Sequence, residues 1–360
     1  MARLIAALSG GVDSAVAAAR ALDAGHEVTA IHLDLSHGVF APEAGSGAEG
    51  CGAPGDIDDA ARVADQLGLP YEIWDLAAAF EREVVAGFVG EYAAGRTPNP
   101  CLRCNERIKF AALLARAVAT GFDGVVTGHY AQLVRRDGGV ELHRGVDPTK
   151  DQSYVLGVLT QDQLRRTYFP LGESVKTEVR REARERGLRV AAKPDSYDIC
   201  FIPGGDTAGY LRERLGARPG DIRDEGGTVL GHHDGYYAYT IGQRKGLRLG
   251  RPAADGRPRY VLGLDAATNT VVVGPREHLA IRSLTGSQPR WCEETPTGEF
   301  RAAVQLRAHA AAVRAVVRVT GDVIDVGLDE PAYGIAPGQT AVIYDKTRVI
   351  GSAVIDTTGN

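Results

Sequence analysis

The chain contains no apolar run approaching the length of a membrane span, and no signal-peptide pattern opens it, so the expectation is a cytoplasmic protein with no membrane role. A disulfide framework is missing too. Five cysteines, an odd number in 360 residues, suit catalytic, redox or metal-binding thiols better. There is no surplus of positive charge: the net charge is −5, so any nucleic-acid binding must come from local basic patches. Internal repeats are absent. What remains is an ordinary soluble composition, 44% hydrophobic and 24% charged, in a chain long enough for two or three domains.

One stretch near the start carries the clearest chemistry. Leu4-Ile5-Ala6-Ala7-Leu8 has strand length and stops at Ser9-Gly10-Gly11-Val12-Asp13-Ser14, and an Ala-rich run of helix-forming residues begins about one turn later. Adjacent glycines let the backbone turn tightly and bring N–H groups against a ligand without a Cβ in the way. The helix that follows aims its unpaired N–H groups and positive dipole end at the same spot. With the hydroxyls of Ser9 and Ser14 added, the site suits a polyanion such as nucleotide phosphates. The Gly-Lys-Ser/Thr ending of a Walker A loop is missing. Ser-Gly-Gly-Val-Asp-Ser instead resembles the PP-loop of N-type ATP pyrophosphatases, a resemblance that implies ATP cleavage between the α- and β-phosphates, with Asp13 helping to place Mg²⁺.

Downstream, strands read at 28–33, 71–74 and 124–127 alternate with helices at 58–67, 80–92 and 108–119. Residues 35–56, rich in Gly, Ala and Pro, read as a long mobile connection. This alternation predicts an α/β fold, a Rossmann-like parallel sheet with helices on both faces. Ligands bind such sheets at the carboxyl ends of strands, where Ser9, Leu33 and Gly128 all fall. The mixed-charge helix at 176–186 reads as a solvated face. After residue 203, Gly/Asp-rich turns replace helices, with short strands near 236–239, 260–264 and 270–273. Strands at 302–306, 315–319, 323–328, 340–344 and 349–355 suggest a small β-barrel. The expected plan is therefore a catalytic PP-loop domain at 1–203, a small α+β central domain at 204–280 and a C-terminal β-barrel at 281–360.

Cys101 and Cys104 form a C-x-x-C just ahead of the predicted helix at 108–119, with Arg103 between them. A helix N-terminus and a nearby cation both raise a thiol's thiolate fraction. Cys200 follows about one hundred residues later. A nucleotide-activating loop with two separated reactive cysteines suggests sulfur transfer, in which ATP makes a poor leaving group into a good one. The three cysteines could instead hold a metal centre. Structural zinc wants four ligands, and neither Cys51 nor Cys292 has a flanking ligand that nominates it as the fourth. A [4Fe-4S] cluster on Cys101, Cys104 and Cys200 would leave one iron open to bind hydrosulfide. Cys51 and Cys292 read as packed or incidental thiols, and His232-His233 as a solvated turn.

Taken together, Ser9-Gly10-Gly11-Val12-Asp13-Ser14, Arg96-Thr97-Pro98-Asn99-Pro100-Cys101-Leu102-Arg103-Cys104-Asn105, Gly128-His129-Tyr130-Ala131, Lys150-Asp151-Gln152-Ser153-Tyr154, Cys200-Phe201-Ile202 and Tyr239-Thr240-Ile241-Gly242-Gln243-Arg244-Lys245-Gly246-Leu247 occur in this order. The chain thereby resembles the bacterial tRNA-specific 2-thiouridylase family along essentially its whole length. That resemblance implies ATP contacts at Ala7, Leu8, Ser9, Gly10, Gly11, Val12, Asp13, Ser14, Leu33 and Gly128, with Leu33 standing where Met is more usual. It makes Cys104 the nucleophile and Cys200 the persulfide-bearing cysteine, and turns Asn99, Pro100 and Cys101 toward the target base. Cys101 stands where many members have Asp, which puts an acid–base role at that position in doubt. Contacts to tRNA are implied at His129, Lys150, Asp151, Gln152, Arg307, Ala308 and Gln339. The implied partners are tRNA and a persulfide donor, either a cysteine desulfurase or a sulfur-relay protein. Two readings from other classes stay open, another PP-loop AMP-forming synthetase and a non-catalytic tRNA-binding protein.

Overall fold

The computed structural model describes residues 1–35, 54–195, 199–249 and 256–360. The connection expected at 35–56 and Cys51 therefore fall largely or wholly outside the described residues.

Five strands form a parallel sheet in the order Tyr71–Asp75, Glu27–Asp34, Arg3–Ala7, Gly124–Val126, Thr167–Tyr168. The central strand reads as a continuous apolar run because both its faces are covered. Leu4 and Ala6 pack against helices Val12–Asp23, Pro54–Leu67 and Lys176–Glu185, while Ile5 packs with Trp74 and helix Leu113–Ala119 on the other face. Helix Val12–Asp23 starts immediately after Gly11, earlier than its Ala run suggested, so Asp13 and Ser14 lie in its first turn.

The helix bearing the cysteines also begins earlier than its sequence suggested. It starts at Pro100, so Cys101 and Cys104 sit inside its opening turns rather than ahead of it. Asn99 caps it by accepting from the Cys101 N–H at 3.0 Å, and Pro100 supplies the preset φ of a first helical residue. Directly after Cys104 the helix widens into a π-helical stretch, Asn105–Ala112, before returning to α geometry at Leu113–Ala119. The preceding helix does the same at Glu81–Val85, between Ala77–Phe80 and Ala86–Ala93.

The central unit is a four-stranded sheet in the order Tyr260–Asp265, Thr270–Gly274, Gly220–Asp224, Val229–His233. Residues 236–238 are a 3₁₀ turn, not a strand. Tyr236 and Tyr237 are both buried, and neighbouring side chains cannot both face one core in an alternating strand. The C-terminal unit is a closed six-stranded antiparallel barrel of Ala280–Trp291, Val323–Tyr333, Val313–Thr320, Gly298–Gln305, Thr340–Asp345 and Arg348–Gly359, its first and last strands pairing. A hairpin from the first unit, Ala131–Arg136 with Gly139–Arg144, adds itself to the last barrel strand at Arg348↔His143 and Val349↔Leu142. Among the described residues no helix is long and apolar enough to cross a membrane.

Candidate nucleotide and thiol site

The glycine loop occupies the carboxyl end of strand Arg3–Ala7. Gly10 has φ +77°, and a Cβ there would stand 2.5 Å from the Asp56 carbonyl oxygen. Ser14 Oγ donates to the Gly11 carbonyl at 3.0 Å and accepts from the Ser9 N–H at 3.2 Å, which locks the turn. Gly128 backs onto the helix start, where a Cβ would lie 2.6 Å from the Asp13 carbonyl carbon and 2.7 Å from the Ser14 nitrogen. Three elements thus meet around helix N–H groups, as an anion site requires. Gly10→Ala is expected to destabilise the fold by about 2 kcal/mol, since it combines a left-handed backbone with a clash against main chain that cannot rotate away. Chemical denaturation checks this, and an unchanged midpoint would show that the loop relaxes freely.

Beside the loop lies a charged network that sequence reasoning missed. Lys176 Nζ donates to Asp13 Oδ2 at 2.6 Å and to Asp195 Oδ1 at 2.9 Å. Lys150 Nζ holds Asp195 Oδ2 at 2.7 Å, and Arg180 Nη2 holds Oδ1 at 2.6 Å. The buried Tyr130 hydroxyl donates to Asp13 Oδ1 at 2.7 Å. Burial, then the charge of Asp13, push that phenol far above its ordinary pKa, so it remains a donor. Burial opposes ionisation of Asp195, but hydrogen bonds from Lys150 and Lys176 outweigh it and hold the carboxyl well below the usual range. Lys193 in turn ties Asp56 and Asp59 together, at 2.7 Å each.

The helix read as a solvated face is therefore amphipathic, with Lys176 only 8% exposed and Val179 and Ala183 in the core. The spacing of 176, 179 and 183 along one helix face was the available signal.

Several residues expected at the tRNA surface have internal tasks. His129 is 7% exposed, lies between Phe110 and Phe169, and has Nδ1 2.8 Å from Thr127 Oγ1. Its burial depresses the imidazole pKa well below the ordinary value, so the ring is neutral. The Asp151 carboxylate accepts from Arg144 Nη1 at 2.8 Å, from the Gly145 and Ser153 N–H groups at 3.0 Å and from Ser153 Oγ at 3.0 Å. Gln152 Oε1 accepts from the Tyr130 N–H at 2.9 Å. In the barrel, Gln305 Nε2 donates to the carbonyls of Arg307 and Ala308, and Gln339 Oε1 accepts from the Ala336 N–H.

Cys104, 7% exposed, belongs to an apolar cluster with Phe80, Phe88 and Phe201, and half-buried Cys200 packs against the same cluster. Leu33 contributes to this cluster and also to the one under the sheet, so it links the strand end to the thiols. Cys101 lies outside it, and Arg103 Nε donates to the Glu83 carbonyl at 3.0 Å. Among the described residues no three His, Cys, Asp or Glu side chains gather as a metal-binding group. Cys292 is a packed thiol whose pKa burial pushes far up. His232 is exposed and pairs with Asp221 at 3.0 Å, but His233 is buried against Tyr239, which corrects the solvated reading for that residue.

The barrel grips the chain just ahead of the thiol helix. The Thr97 N–H donates to the Pro337 carbonyl at 2.8 Å, and Arg96 reaches Asp356 at 3.4 Å.

A glycine-turned anion loop on a parallel sheet, with a thiol-bearing helix alongside and two β units appended, defines an α/β PP-loop enzyme of the HUP class. Residues 2–204 match the tRNA methyl transferase HUP domain, 208–275 the tRNA methyl transferase PRC-barrel domain and 281–355 the aminomethyltransferase beta-barrel domain. The chain is 60% identical over 362 residues to the tRNA-specific 2-thiouridylase MnmA of Nocardioides sp., covering 99% of this chain and 98% of that one. It is 59% identical over 353 residues to the enzyme of the same name from Acidothermus cellulolyticus, covering 98% and 97%. The Streptomyces avermitilis enzyme of that name is 57% identical over 359 residues, covering 99% and 95%. The chain belongs to the tRNA-specific 2-thiouridylases, a family of tRNA sulfurtransferases.

Proposed function

We propose that this enzyme uses ATP to convert the wobble uridine of tRNA to 2-thiouridine, with sulfur carried as a persulfide on Cys200. The observation that carries this reading is the shared apolar cluster of Cys104 and Cys200, which reaches through Leu33 to the strand end beside the glycine loop. Residues Ala7 to Ser14, with Gly128 and Leu33, take the ATP, the loop N–H groups and Lys176 meeting the polyphosphate. Asp13 is the residue that would hold Mg²⁺, which supplies charge neutralisation on the departing pyrophosphate. Asn99, Pro100 and Cys101, at the start of the thiol helix, face the splayed-out base.

In the first step the uracil C2 oxygen attacks the α-phosphorus of ATP and pyrophosphate leaves. A donor protein, a cysteine desulfurase or a sulfur-relay protein, places sulfur on Cys200. The terminal sulfur of that persulfide attacks C2, and AMP departs with the former C2 oxygen. The Cys104 thiolate then attacks Sγ of Cys200, forming a Cys104–Cys200 disulfide and leaving the transferred sulfur on C2. A dithiol reductant resets the pair. What supports a route through two cysteines is the apolar cluster that Cys104 and Cys200 share.

Lys150, Arg307, Ala308 and Gln339 are proposed to meet tRNA, while Asp151 and Gln152 brace the loop that presents Lys150 and His129 packs between Phe110 and Phe169 as part of the same proposed surface. The working units are taken as 1–203 for catalysis, 204–280 as the central unit and 281–360 as the barrel, in a cytoplasmic enzyme. The test supplies α-labelled ATP, a persulfide donor, reductant and tRNA transcripts with and without uridine at the wobble position. The expected result is AMP and pyrophosphate release that requires the uridine, together with exchange of one oxygen for sulfur at that base. AMP release indifferent to the uridine, or sulfur at another position, would overturn the reading.

A further inference from the structure

The stretch Thr240-Ile241-Gly242-Gln243-Arg244-Lys245-Gly246-Leu247 has a structural task for nearly every residue. The Thr240 N–H donates to Gln243 Oε1 at 3.0 Å, and Gln243 Nε2 donates to the Lys245 carbonyl at 3.0 Å. The Gly242 N–H donates to the Val261 carbonyl at 2.8 Å, and the Val261 N–H returns a bond to Gln243 O at 3.0 Å. Gly242 and Gly246 take φ of +88° and +80°, which only glycine adopts without strain. Leu247 is buried and anchors the far end in the cluster that contains Cys104. Ile241 brings its carbonyl to the barrel turn at Gly334. Two residues are left over. Arg244 and Lys245 are exposed, and among the described residues neither has a hydrogen bond or an ion pair from its side chain.

The loop does not stand alone. A Cβ on Gly242 would lie 3.2 Å from the Gly334 Cα, and one on Gly334 would lie 3.7 Å from Arg307 Nη1. Arg307 thus joins the two loop cations across the seam between central unit and barrel. It too lacks an acidic partner among the described residues. Four residues beyond Gly334, a Cβ on Gly338 would lie 3.0 Å from the Thr97 nitrogen. Four residues span at most about 14 Å, so the turn that the loop touches at Gly334 lies within that reach of the segment that enters the thiol helix.

We infer that Arg244, Lys245 and Arg307 form a rigid ledge for the sugar–phosphate backbone of the tRNA, close to where the target base enters. The inference rests on tRNA being the substrate and adds a contact in the central unit. Polyanionic RNA is the fitting occupant because the cations are held on a pre-ordered loop with no acid to neutralise them, in a chain whose overall charge is negative. Such contacts fix register without reading bases.

The test is the full-length double variant Arg244→Ala with Lys245→Ala, alongside wild type, in filter binding of tRNA across a salt series. Each lost phosphate contact lowers the slope of log K against log salt by about 0.7 to 0.9. The double variant is therefore expected to lose roughly 1.5 in slope and about tenfold or more in low-salt affinity, equally for every tRNA sequence tried. Its melting temperature and ATP binding should match wild type, because both side chains are exposed and neither has a hydrogen bond or ion pair among the described residues. A wild-type slope in the double variant overturns the inference alone, whereas a wild-type enzyme that binds no tRNA brings down the substrate reading and the ledge with it. Unaltered tRNA binding combined with loss of sulfur uptake from a donor protein would make the loop a protein dock and likewise overturn it.

Discussion

Cys200→Ser is expected to yield an enzyme that still releases AMP in the presence of tRNA yet forms no 2-thiouridine. Serine cannot carry a persulfide, so the sulfur step falls to background, a loss of at least about 10³-fold. Adenylation is proposed to depend on the glycine loop and Lys176, so it is expected to survive at a rate set by hydrolysis of the adenylated base. Cys200 is half-buried, and a hydroxyl there is tolerated by the fold. Cys104→Ser separates the roles further. It is expected to accumulate tRNA joined to Cys200 through the unresolved persulfide, visible as a reductant-sensitive adduct on a gel. Cys101→Asp should retain thiolation within a few-fold in air. Thiolation by Cys200→Ser, or loss of iron and activity together in Cys101→Asp, would sink the two-cysteine route.

Lys176→Met is expected to lower AMP formation by about 10² to 10³-fold, the scale of losing a preorganised charge aimed at a departing oxyanion. The Nζ group sits between Asp13 and Asp195 at 2.6 and 2.9 Å. Removing it takes away the cation proposed to meet the phosphates and leaves Asp13 and Asp195 without the ammonium between them. Their mutual repulsion amounts to about 1–3 kcal/mol at this partly exposed site. Lys176→Arg should recover about tenfold, because the charge returns but a planar fork replaces a compact ammonium in a buried slot. In the wild type the network contributes stability that is complete above the ordinary carboxylate range, and it is lost only as pH falls through the depressed value of Asp195. Quenched-flow AMP release at saturating tRNA, with kcat and KM for ATP separated, measures the effect. Wild-type rates in Lys176→Met would remove the residue from the phosphate site.

The glycine turn was legible because its geometry is written in backbone chemistry: two glycines, a strand before and a helix after. Gly128 was legible from its place at a strand's carboxyl end, but the reason a glycine stands there, a close approach to Asp13 and Ser14, is announced by no local pattern. Lys176 was hidden inside a run of charges, and its partner Asp195 meets it through tertiary folding. The early start of the thiol helix was written in Asn99-Pro100, a cap and a first-turn proline, yet the surrounding prolines and the cysteine spacing drew attention to a loop. The first barrel strand, Ala280–Trp291, escaped because Gly286, Pro289 and register shifts break its alternation. Hairpin Ala131–Arg136 with Gly139–Arg144 escaped because its sheet partner comes from the far end of the chain.

That hairpin sets a timetable for the ribosome. His143 and Thr347, 3.0 Å apart in the finished protein, are separated by 204 residues of synthesis. At the usual pace of elongation the edge of Gly139–Arg144 waits roughly 10–40 s for its mate. An uncovered strand edge is a template for pairing with neighbouring nascent chains. The exposed Arg135 and Arg136, on the hairpin's other strand, are expected to act as gatekeepers during that interval, repelling a like edge from the next ribosome on the message. Slowing translation should therefore cost soluble yield more when both arginines are replaced by threonine than when either stays.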